Sequence, residues 1–187
     1  MSVMFRRGLL AGLFAVAVAA AVPAVAAPFA LTSPDFDDNR LLAQKFAGAA
    51  QGNTACTGEN LSPTLHWHNV PPDTKSLALL VFDPEGRKGL GVSHLVAYNI
   101  PPTAKGFAAG ELTQGKGFTG GKNSAGTQVW HGPCPPPGSG FHHYVFTLIA
   151  TALPPDALPA GLTREQLLEK LDGHAAAATG LIGRFGQ

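Results

Sequence analysis

Four polar side chains capable of acid–base chemistry or hydrogen bonding stand at the ends of predicted strands. Asp83 ends one apolar run, His94 begins the next, and His142 and Tyr144 open a third. If these strand ends converge, they place one carboxylate, two imidazoles and a phenol around a small cavity. Imidazole and phenol groups donate hydrogen bonds to oxyanions, and a buried carboxylate fixes the tautomer or charge of a histidine. The pattern therefore predicts a small anion-binding cavity.

The chain before His142 predicts a rigid loop. Four prolines and three glycines lie between Val129 and Gly140. Proline fixes φ and lacks a backbone donor, whereas glycine permits tight reversals. From Phe141 onward the residues are aromatic and β-branched, which favours a strand. A stiff loop thus leads into a buried strand.

Apolar periodicity predicts the strands that position these side chains. The continuous run Ser76–Asp83 predicts a central strand covered on both faces, and the run over 94–100 predicts a second strand. Leu65 and Trp67 alternate with two histidines, as in a half-buried strand. Together with 23 glycines and 16 prolines, these runs favour a loop-rich, mainly β fold.

The clearest helical pattern lies near the C-terminus. Thr163 is predicted to be the N-cap of a helix, with Glu165 and Gln166 in its first turn. Gly173 is predicted to end this helix. The inner face is formed by three leucines, Leu167, Leu168 and Leu171. A second short helix is expected over 174–181.

Residues 1–26 predict an export signal. Arg6 and Arg7 precede a short apolar segment, and the small residues of 24–26 suit cleavage after Ala26. Residues 27–187 then form a single domain in the periplasm or outside the cell. A membrane anchor is the alternative, and the paired arginines leave general and twin-arginine export open.

The two cysteines, Cys56 and Cys134, predict a disulfide, because an even pair in an oxidising compartment usually bonds. The alternative is two separate thiols. Neither cysteine has a second one at metal-ligand spacing, which excludes a zinc ribbon.

Charge gives no sign of a nucleic-acid partner. The chain has 13 basic and 12 acidic residues. Without Arg6 and Arg7, 11 basic residues face 12 acidic ones, a formal net charge of −1. A nucleic-acid or anionic-membrane footprint needs a basic surplus.

Other residues have the types or spacing of metal and dinucleotide sites. His66 and His68, or the two cavity histidines with Asp83, have the residue types of a metal site, but strand histidines are more often solvated or hydrogen bonded, so no metal is expected. Gly115-x-Gly117-x-x-Gly120 lacks the strand and helix of a dinucleotide site.

A hydrolase is the weaker alternative, with Asp83 and His94 as an acid and base pair. Ser139 lies between glycines without the strand-to-helix turn that presents a nucleophilic serine. The sequence therefore places no nucleophile beside that pair.

Several short motifs resemble the phosphatidylethanolamine-binding protein family, in its bacterial Raf kinase inhibitor-like branch, from about Ser33 to Phe185. The motifs are Gly58-x-Asn60-x-Ser62-Pro63 with Trp67, Thr74-Lys75-Ser76, Asp83-Pro84, His94 with Asn99-Ile100-Pro101, and Gly132-Pro133-Cys134-Pro135-Pro136 with His142-x-Tyr144.

The resemblance implies a mainly β fold, an antiparallel β-sandwich with short helices that include a C-terminal helical segment. It also implies a pocket for phosphate-like or phospholipid head groups, without cofactor or metal. The implied pocket residues are Asp83, His94, His142 and Tyr144, with Cys134, Pro135 and Pro136 as wall.

The sequence departs from the family pattern around the implied pocket. Asp83-Pro84 continues as Glu85-Gly86-Arg87, where the family has Asp-Ala-Pro, so a looser rim is expected. Leu95, His143 and Phe185 replace an aromatic residue, an arginine and a tyrosine, and each is expected to reduce bulk or polarity near the mouth.

The leading hypothesis is an exported, non-enzymatic binding protein for a phosphate-like or phospholipid head-group ligand. The alternative is an interaction module, such as an inhibitor of an extracellular or envelope enzyme, with a vestigial pocket. A protein partner and a homodimer are left open, and no nucleic-acid partner is expected.

Overall fold

The computed structural model describes Met1 and residues 27–187, so the predicted export signal lies outside the described residues apart from Met1. No helix in this described part is long and apolar enough to cross a membrane.

A short 3-10 turn covers Gln44–Phe46. The strands are β1 (Ala30–Thr32), β2 (Arg40–Leu41), β3 (Leu65–His68), β4 (Ser76–Asp83), β5 (Val92–Ile100), β6 (Gly106–Phe107), β7 (Thr119–Gly120), β8 (His142–Thr151) and β9 (Ala175–Phe185), and the helices are α1 (Gly86–Gly89), α2 (Glu111–Gln114) and α3 (Arg164–Leu171).

The strands form two sheets, which confirms the predicted mainly β architecture. The large sheet has six strands in the order β2-β9-β8-β4-β5-β7, and the small sheet has three in the order β1-β3-β6. Among the described strands every pair is antiparallel except β2 and β9, which run parallel. The two sheets enclose the larger hydrophobic core.

Strand β4 is buried on both faces, as its continuous apolar run predicts. Leu77, Leu79 and Val81 belong to the core between the two sheets. Ala78 and Leu80 face the opposite side, where they pack in a second core with leucines of α3. Since successive side chains of a strand alternate between faces, one strand serves both cores.

Helix α3 begins where the sequence predicts. The Thr163 hydroxyl accepts a hydrogen bond from the Gln166 amide, and the Gln166 side chain accepts one from the Thr163 amide, which completes a capping box. Leu167 and Leu171 are buried. Gly173 follows the helix in the left-handed region, with φ of 73°.

The second helix predicted over 174–181 is wrong. His174 lies in a turn, and residues 175–181 belong to the long strand β9, which pairs with β8 from His142 opposite Phe185 to Thr151 opposite Ala175. Alanine favours helix in isolation, but local propensity is a weak constraint. Pairing with an adjacent buried strand satisfies the backbone groups of the segment and overrides that preference.

The predicted disulfide between Cys56 and Cys134 is present, and it links residues 78 positions apart. It joins the loop after the 3-10 turn to the proline-rich loop. We expect its removal by Cys56→Ser to lower the free energy of unfolding by roughly 4 kcal/mol, because the unfolded chain gains the entropy of an open loop. Urea denaturation measures this difference.

Reductant provides the control for the disulfide prediction. It should destabilise the wild type and leave Cys56→Ser unchanged, since the variant has no disulfide to lose. Equal denaturation midpoints for the wild type and the variant under oxidising conditions would contradict the prediction.

Candidate functional site

A cavity of about 280 Å³ lies where β4, β5 and β8 meet the proline-rich loop. The strand ends therefore converge as the sequence analysis expects. All the site residues selected from the sequence line this cavity: Asp83, His94, Cys134, Pro135, Pro136, His142 and Tyr144.

The carboxylate of Asp83 holds one of the two predicted imidazoles. Its Oδ2 accepts a hydrogen bond of 2.7 Å from Nδ1 of His142. Its Oδ1 accepts two bonds of 2.9 Å from the backbone amides of Glu85 and Gly86. Asp83 thus fixes the turn after β4 and orients His142 at the same time.

His94 is held by a different partner from the one expected. Its Nδ1 lies 2.6 Å from the backbone oxygen of His131. A carbonyl only accepts hydrogen bonds, so Nδ1 carries the proton and donates it. The pair of Asp83 with His94, which a hydrolase was expected to use, is replaced by the pair of Asp83 with His142.

A β-bulge sets the direction of the His94 side chain. Val81 pairs with Leu95 and Phe82 pairs with Ser93, so the register shifts and His94 has no residue directly opposite. A bulge inserts one unpaired residue and re-aims side chains near it. The imidazole of His94 therefore lies against Tyr144, with 5.0 Å between the ring centroids.

Two buried polar atoms in this cavity lack hydrogen-bond partners among the described residues. They are Nε2 of His94 and the hydroxyl of Tyr144. Leaving such atoms unpaired costs roughly 1–3 kcal/mol each. Both residues line the cavity, so a polar group placed inside it can satisfy both atoms.

Burial lowers the pKa of both stacked histidines, His94 and His131. It lowers the pKa of His94 to about 4 from an ordinary 6.5; the bond to the His131 backbone opposes this shift, and the charges of His131 and His142 reinforce it. Burial also lowers the pKa of His131. His94 is consequently neutral at pH 7, and its Nε2 is a hydrogen-bond acceptor.

Burial and charge also act on the oxygen acids of the cavity. Burial raises the pKa of Asp83, although the hydrogen bond and charge of His142 act in the opposite direction. Burial raises the pKa of Tyr144 well above its usual range, and the charges of Asp83 and Glu85 add to this. The Tyr144 hydroxyl therefore keeps its proton and can donate a hydrogen bond.

The proline-rich loop is held in place by Asn60. Its Oδ1 accepts a 2.8 Å bond from the Gly132 amide, and its Nδ2 donates a 3.4 Å bond to the Trp130 oxygen. Asn60 adopts φ of 53°, a conformation that asparagine tolerates better than most residues. The loop that carries His131 is thereby fixed over His94.

Some residues at the cavity were missed by sequence reasoning. His131 stacks on His94 with 5.8 Å between ring centroids. Its position beside Trp130 and Gly132 was a usable signal, because it lies inside the rigid loop. The other missed lining residues are Asn53 and Val92, whereas Gly86 and Arg87, which the sequence places on the rim, do line the cavity.

Leu95, His143 and Phe185, which differ from the family pattern, do not line the cavity. The prediction that they reduce bulk or polarity at its mouth is therefore wrong. Leu95 and Phe185 are buried in the core and do not line the cavity. His143 lies outside it and pairs with Glu85, with 2.9 Å between Nδ1 and Oε1. Glu85 also accepts a 3.0 Å bond from the His143 amide, so this pair ties the turn after β4 to β8.

Ser139 has a hydrogen-bond partner that its sequence context does not predict. Ser139 is exposed, and its Oγ lies 3.2 Å from Nε2 of His142. Because His142 donates to Asp83 through Nδ1, a chain of hydrogen bonds runs from Ser139 through His142 to Asp83. These residue types in this order are those of a serine nucleophile with its base and orienting acid.

The residues considered for a metal lie in two places: His66 and His68 on β3, and Asp83, His94 and His142 at the cavity. His66 and His68 are exposed on β3, and within residues 27–187 no group of three or more His, Cys, Asp or Glu side chains is arranged to hold a metal ion.

The low pKa of His94 predicts a pH-dependent stability. The unfolded chain binds a proton at this residue below pH 6.5, whereas the folded chain does so only near pH 4. Stability therefore falls as the pH is lowered through this window. We expect His94→Gln to remove roughly 2 kcal/mol of the stability difference between pH 7 and pH 4.5, measured by urea denaturation.

His174→Gln is the control for the pH prediction, because His174 is exposed. It should keep the wild-type pH dependence. If His94→Gln also keeps it, the assignment of a buried neutral imidazole at position 94 is wrong.

Comparison with known proteins agrees with this architecture. The family model described as phosphatidylethanolamine-binding protein matches residues 32–186. A protein described as UPF0098 from Methanothermobacter thermautotrophicus is 39% identical over 143 residues, covering 74% of this chain and 91% of that protein. A Mycobacterium tuberculosis protein named lipoprotein LppC is 36% identical over 174 residues, covering 91% of this chain and 79% of that protein.

Solved structures show the same fold. Escherichia coli YbcL, described as a member of the mammalian PEBP family, superposes with a TM-score of 0.78 at 27% identity, covering 86% of this chain and 99% of that one. A phosphatidylethanolamine-binding protein homologue from Chlamydia trachomatis gives 0.73 at 32% identity, covering 85% and 97%. The chain therefore belongs to the phosphatidylethanolamine-binding protein family.

Proposed function

We propose that this chain is an exported, non-enzymatic binding protein whose cavity accepts a phosphate-like group, including that of a phospholipid head group. The single observation that carries the proposal is the pair of unpartnered polar atoms, Nε2 of His94 and the Tyr144 hydroxyl, at one small cavity. Family membership supports the same class of ligand.

The two atoms have complementary roles toward a phosphate. The Tyr144 hydroxyl donates a hydrogen bond to a phosphoryl oxygen, while Nε2 of neutral His94 accepts one from a protonated phosphate oxygen. A phosphate monoester carrying one proton offers both kinds of group. The cavity thus favours a monoanionic phosphate over a carboxylate, which is ionised and cannot donate.

The size of the cavity limits the ligand to a head group. Its volume of about 280 Å³ lies just below the usual range for drug-sized ligands, roughly 300–1,000 Å³. Phosphorylethanolamine is small enough for such a space. Acyl chains of a whole lipid would remain outside the cavity.

Export is supported by two observations. The disulfide of Cys56 with Cys134 suits an oxidising compartment. A similar chain, from Mycobacterium tuberculosis, bears the name of a lipoprotein. We therefore place the protein in the cell envelope or outside the cell.

Tyr144→Phe tests the binding function with little risk to the fold. The substitution removes a buried hydroxyl that has no described partner, so the thermal midpoint should stay the same or rise. Isothermal titration with phosphorylethanolamine should show at least a tenfold loss of affinity. His142→Ala is a poorer test, because it leaves the buried Asp83 carboxylate without its imidazole.

His143→Ala is the matched control for the titration, because it changes the neighbouring histidine outside the cavity. It should bind like the wild type. Equal binding by Tyr144→Phe and the wild type would remove this cavity from the proposed function.

A second candidate, a hydrolase, is favoured by the hydrogen-bonded series of Ser139, His142 and Asp83. In this reading the Ser139 oxygen attacks an acyl or phosphoryl centre and its proton passes to Nε2 of His142, which then gives that proton to the leaving group as its bond breaks. Water, deprotonated by the same imidazole, then hydrolyses the bond to Ser139 and regenerates the hydroxyl. This candidate differs from the expected hydrolase because His142, not His94, is the base.

A fluorophosphonate probe separates the two candidates. A hydrolase is expected to form a stable adduct at Ser139 with loss of fluoride, detected by intact-mass spectrometry, and Ser139→Ala should give none. Denatured wild-type protein is the control for unspecific labelling. A wild type that stays unlabelled while it binds phosphorylethanolamine would leave only the binding function.

A further inference from the structure

A second, larger cavity lies on the opposite face of the large sheet. Its volume is about 460 Å³, and its walls include Phe82 of β4 and Ser93 of β5. The next residues along these strands, Asp83 and His94, line the first cavity. Because neighbouring side chains of a strand point to opposite faces, the two cavities open on opposite faces of the sheet.

Three cationic side chains line this second cavity: Arg87, Lys122 and Arg164. Its one acidic lining residue is Glu165, whose side chain is 76% exposed and lies 3.7 Å from Arg164. Among the described residues, Arg87 and Lys122 take part in no ion pair. The cavity therefore carries an excess of positive charge that its own walls do not neutralise.

Two buried polar atoms in the wall lack partners among the described residues. They are Oγ of Ser93, a residue only 8% exposed, and Nε of Arg164. The Ser93 amide is already bonded to Oγ of Ser124, so the free capacity lies in the Ser93 hydroxyl. A buried hydroxyl without a partner costs free energy unless a ligand or solvent group meets it.

The position of Arg164 is fixed before any ligand arrives. Its guanidinium lies over the Phe82 ring, 4.3 Å from the centroid. Arg164 is also the first residue of α3, and Thr163 and Glu165 beside it line the same cavity. The Gln166 amide is bonded to the Thr163 hydroxyl, but the helix N-terminus still carries partial positive charge, which adds to the field of the cations.

We propose that this cavity is a second anion site, which takes a phosphate group through Arg87, Lys122, Arg164 and the Ser93 hydroxyl. It differs chemically from the first cavity, where a neutral imidazole and a phenol meet the ligand. The second site relies on net positive charge, so it suits a fully ionised phosphate. Arg87 lines both cavities and places the two anions near one another.

Isothermal titration with inorganic phosphate at low ionic strength tests the second site on the purified, disulfide-bonded protein. The wild type should bind two phosphates per chain. Lys122→Gln combined with Arg164→Gln should lose one of them, and Tyr144→Phe should lose the other. Lys88→Gln is the matched control, since Lys88 adjoins Arg87 but lines neither cavity.

Ser93→Ala separates a bound anion from general attraction by surface charge. The variant keeps every cation and removes a hydroxyl with no described partner, so its thermal midpoint should not fall. Affinity at the second site should drop about tenfold, as for loss of a hydrogen bond to a charged group. Unchanged affinity in Ser93→Ala together with unchanged affinity in the double variant overturns the proposal.

The same titrations distinguish a failure of the second site from a failure of the proposed function. A single phosphate that is lost in the double variant but kept in Tyr144→Phe supports the second site and contradicts the first. A single phosphate with the reverse behaviour overturns the second site alone.

Vesicles identify the source of the phosphate. Binding to phosphatidylglycerol vesicles but not phosphatidylcholine vesicles, lost in the double variant and weakened in Ser93→Ala, assigns the site to an anionic lipid head group. Equal affinity for inorganic phosphate and sn-glycerol 3-phosphate without vesicle binding assigns it to a soluble phosphate.

Discussion

The pairing of β4 with β5 on one side and β8 on the other is the constraint on which both cavities depend. These three strands are buried, so their register is fixed by the apolar side chains that each face must hide. A slip of one residue would turn Leu79 from the core between the two sheets into the second core and would displace Asp83 from the cavity. The ends of the strands therefore meet in one arrangement, which brings Asp83, His94 and His142 together.

The first cavity shows how buried polar groups become available for binding. Asp83 uses its oxygens on His142 and on two backbone amides, and Nδ1 of His94 is bonded to a carbonyl. These bonds orient the rings but leave Nε2 of His94 and the Tyr144 hydroxyl unpaired. The folded protein carries the cost of two unsatisfied atoms, and a ligand with matching groups recovers it.

The cavities on the two faces of the large sheet differ in the charge of their lining residues. Toward the inter-sheet core, burial keeps His94 neutral, so recognition there rests on hydrogen-bond geometry. On the other face, Lys122 and Arg164 line the second cavity, so cationic side chains border it. The alternation of neighbouring residues along β4 and β5 makes both environments accessible from a single pair of strands.

Local periodicity and residue type were enough to predict the central strands, the capped helix α3, the disulfide and seven of the twelve residues that line the first cavity. It could not locate His131 over His94, since that contact depends on how Asn60 holds a loop from another part of the chain. The alanine-rich segment became β9 because pairing with β8 outweighs local helix preference. The bulge at His94 and the cationic cavity depend on strand register and on contacts between segments that are distant along the chain, so local sequence patterns could not predict them.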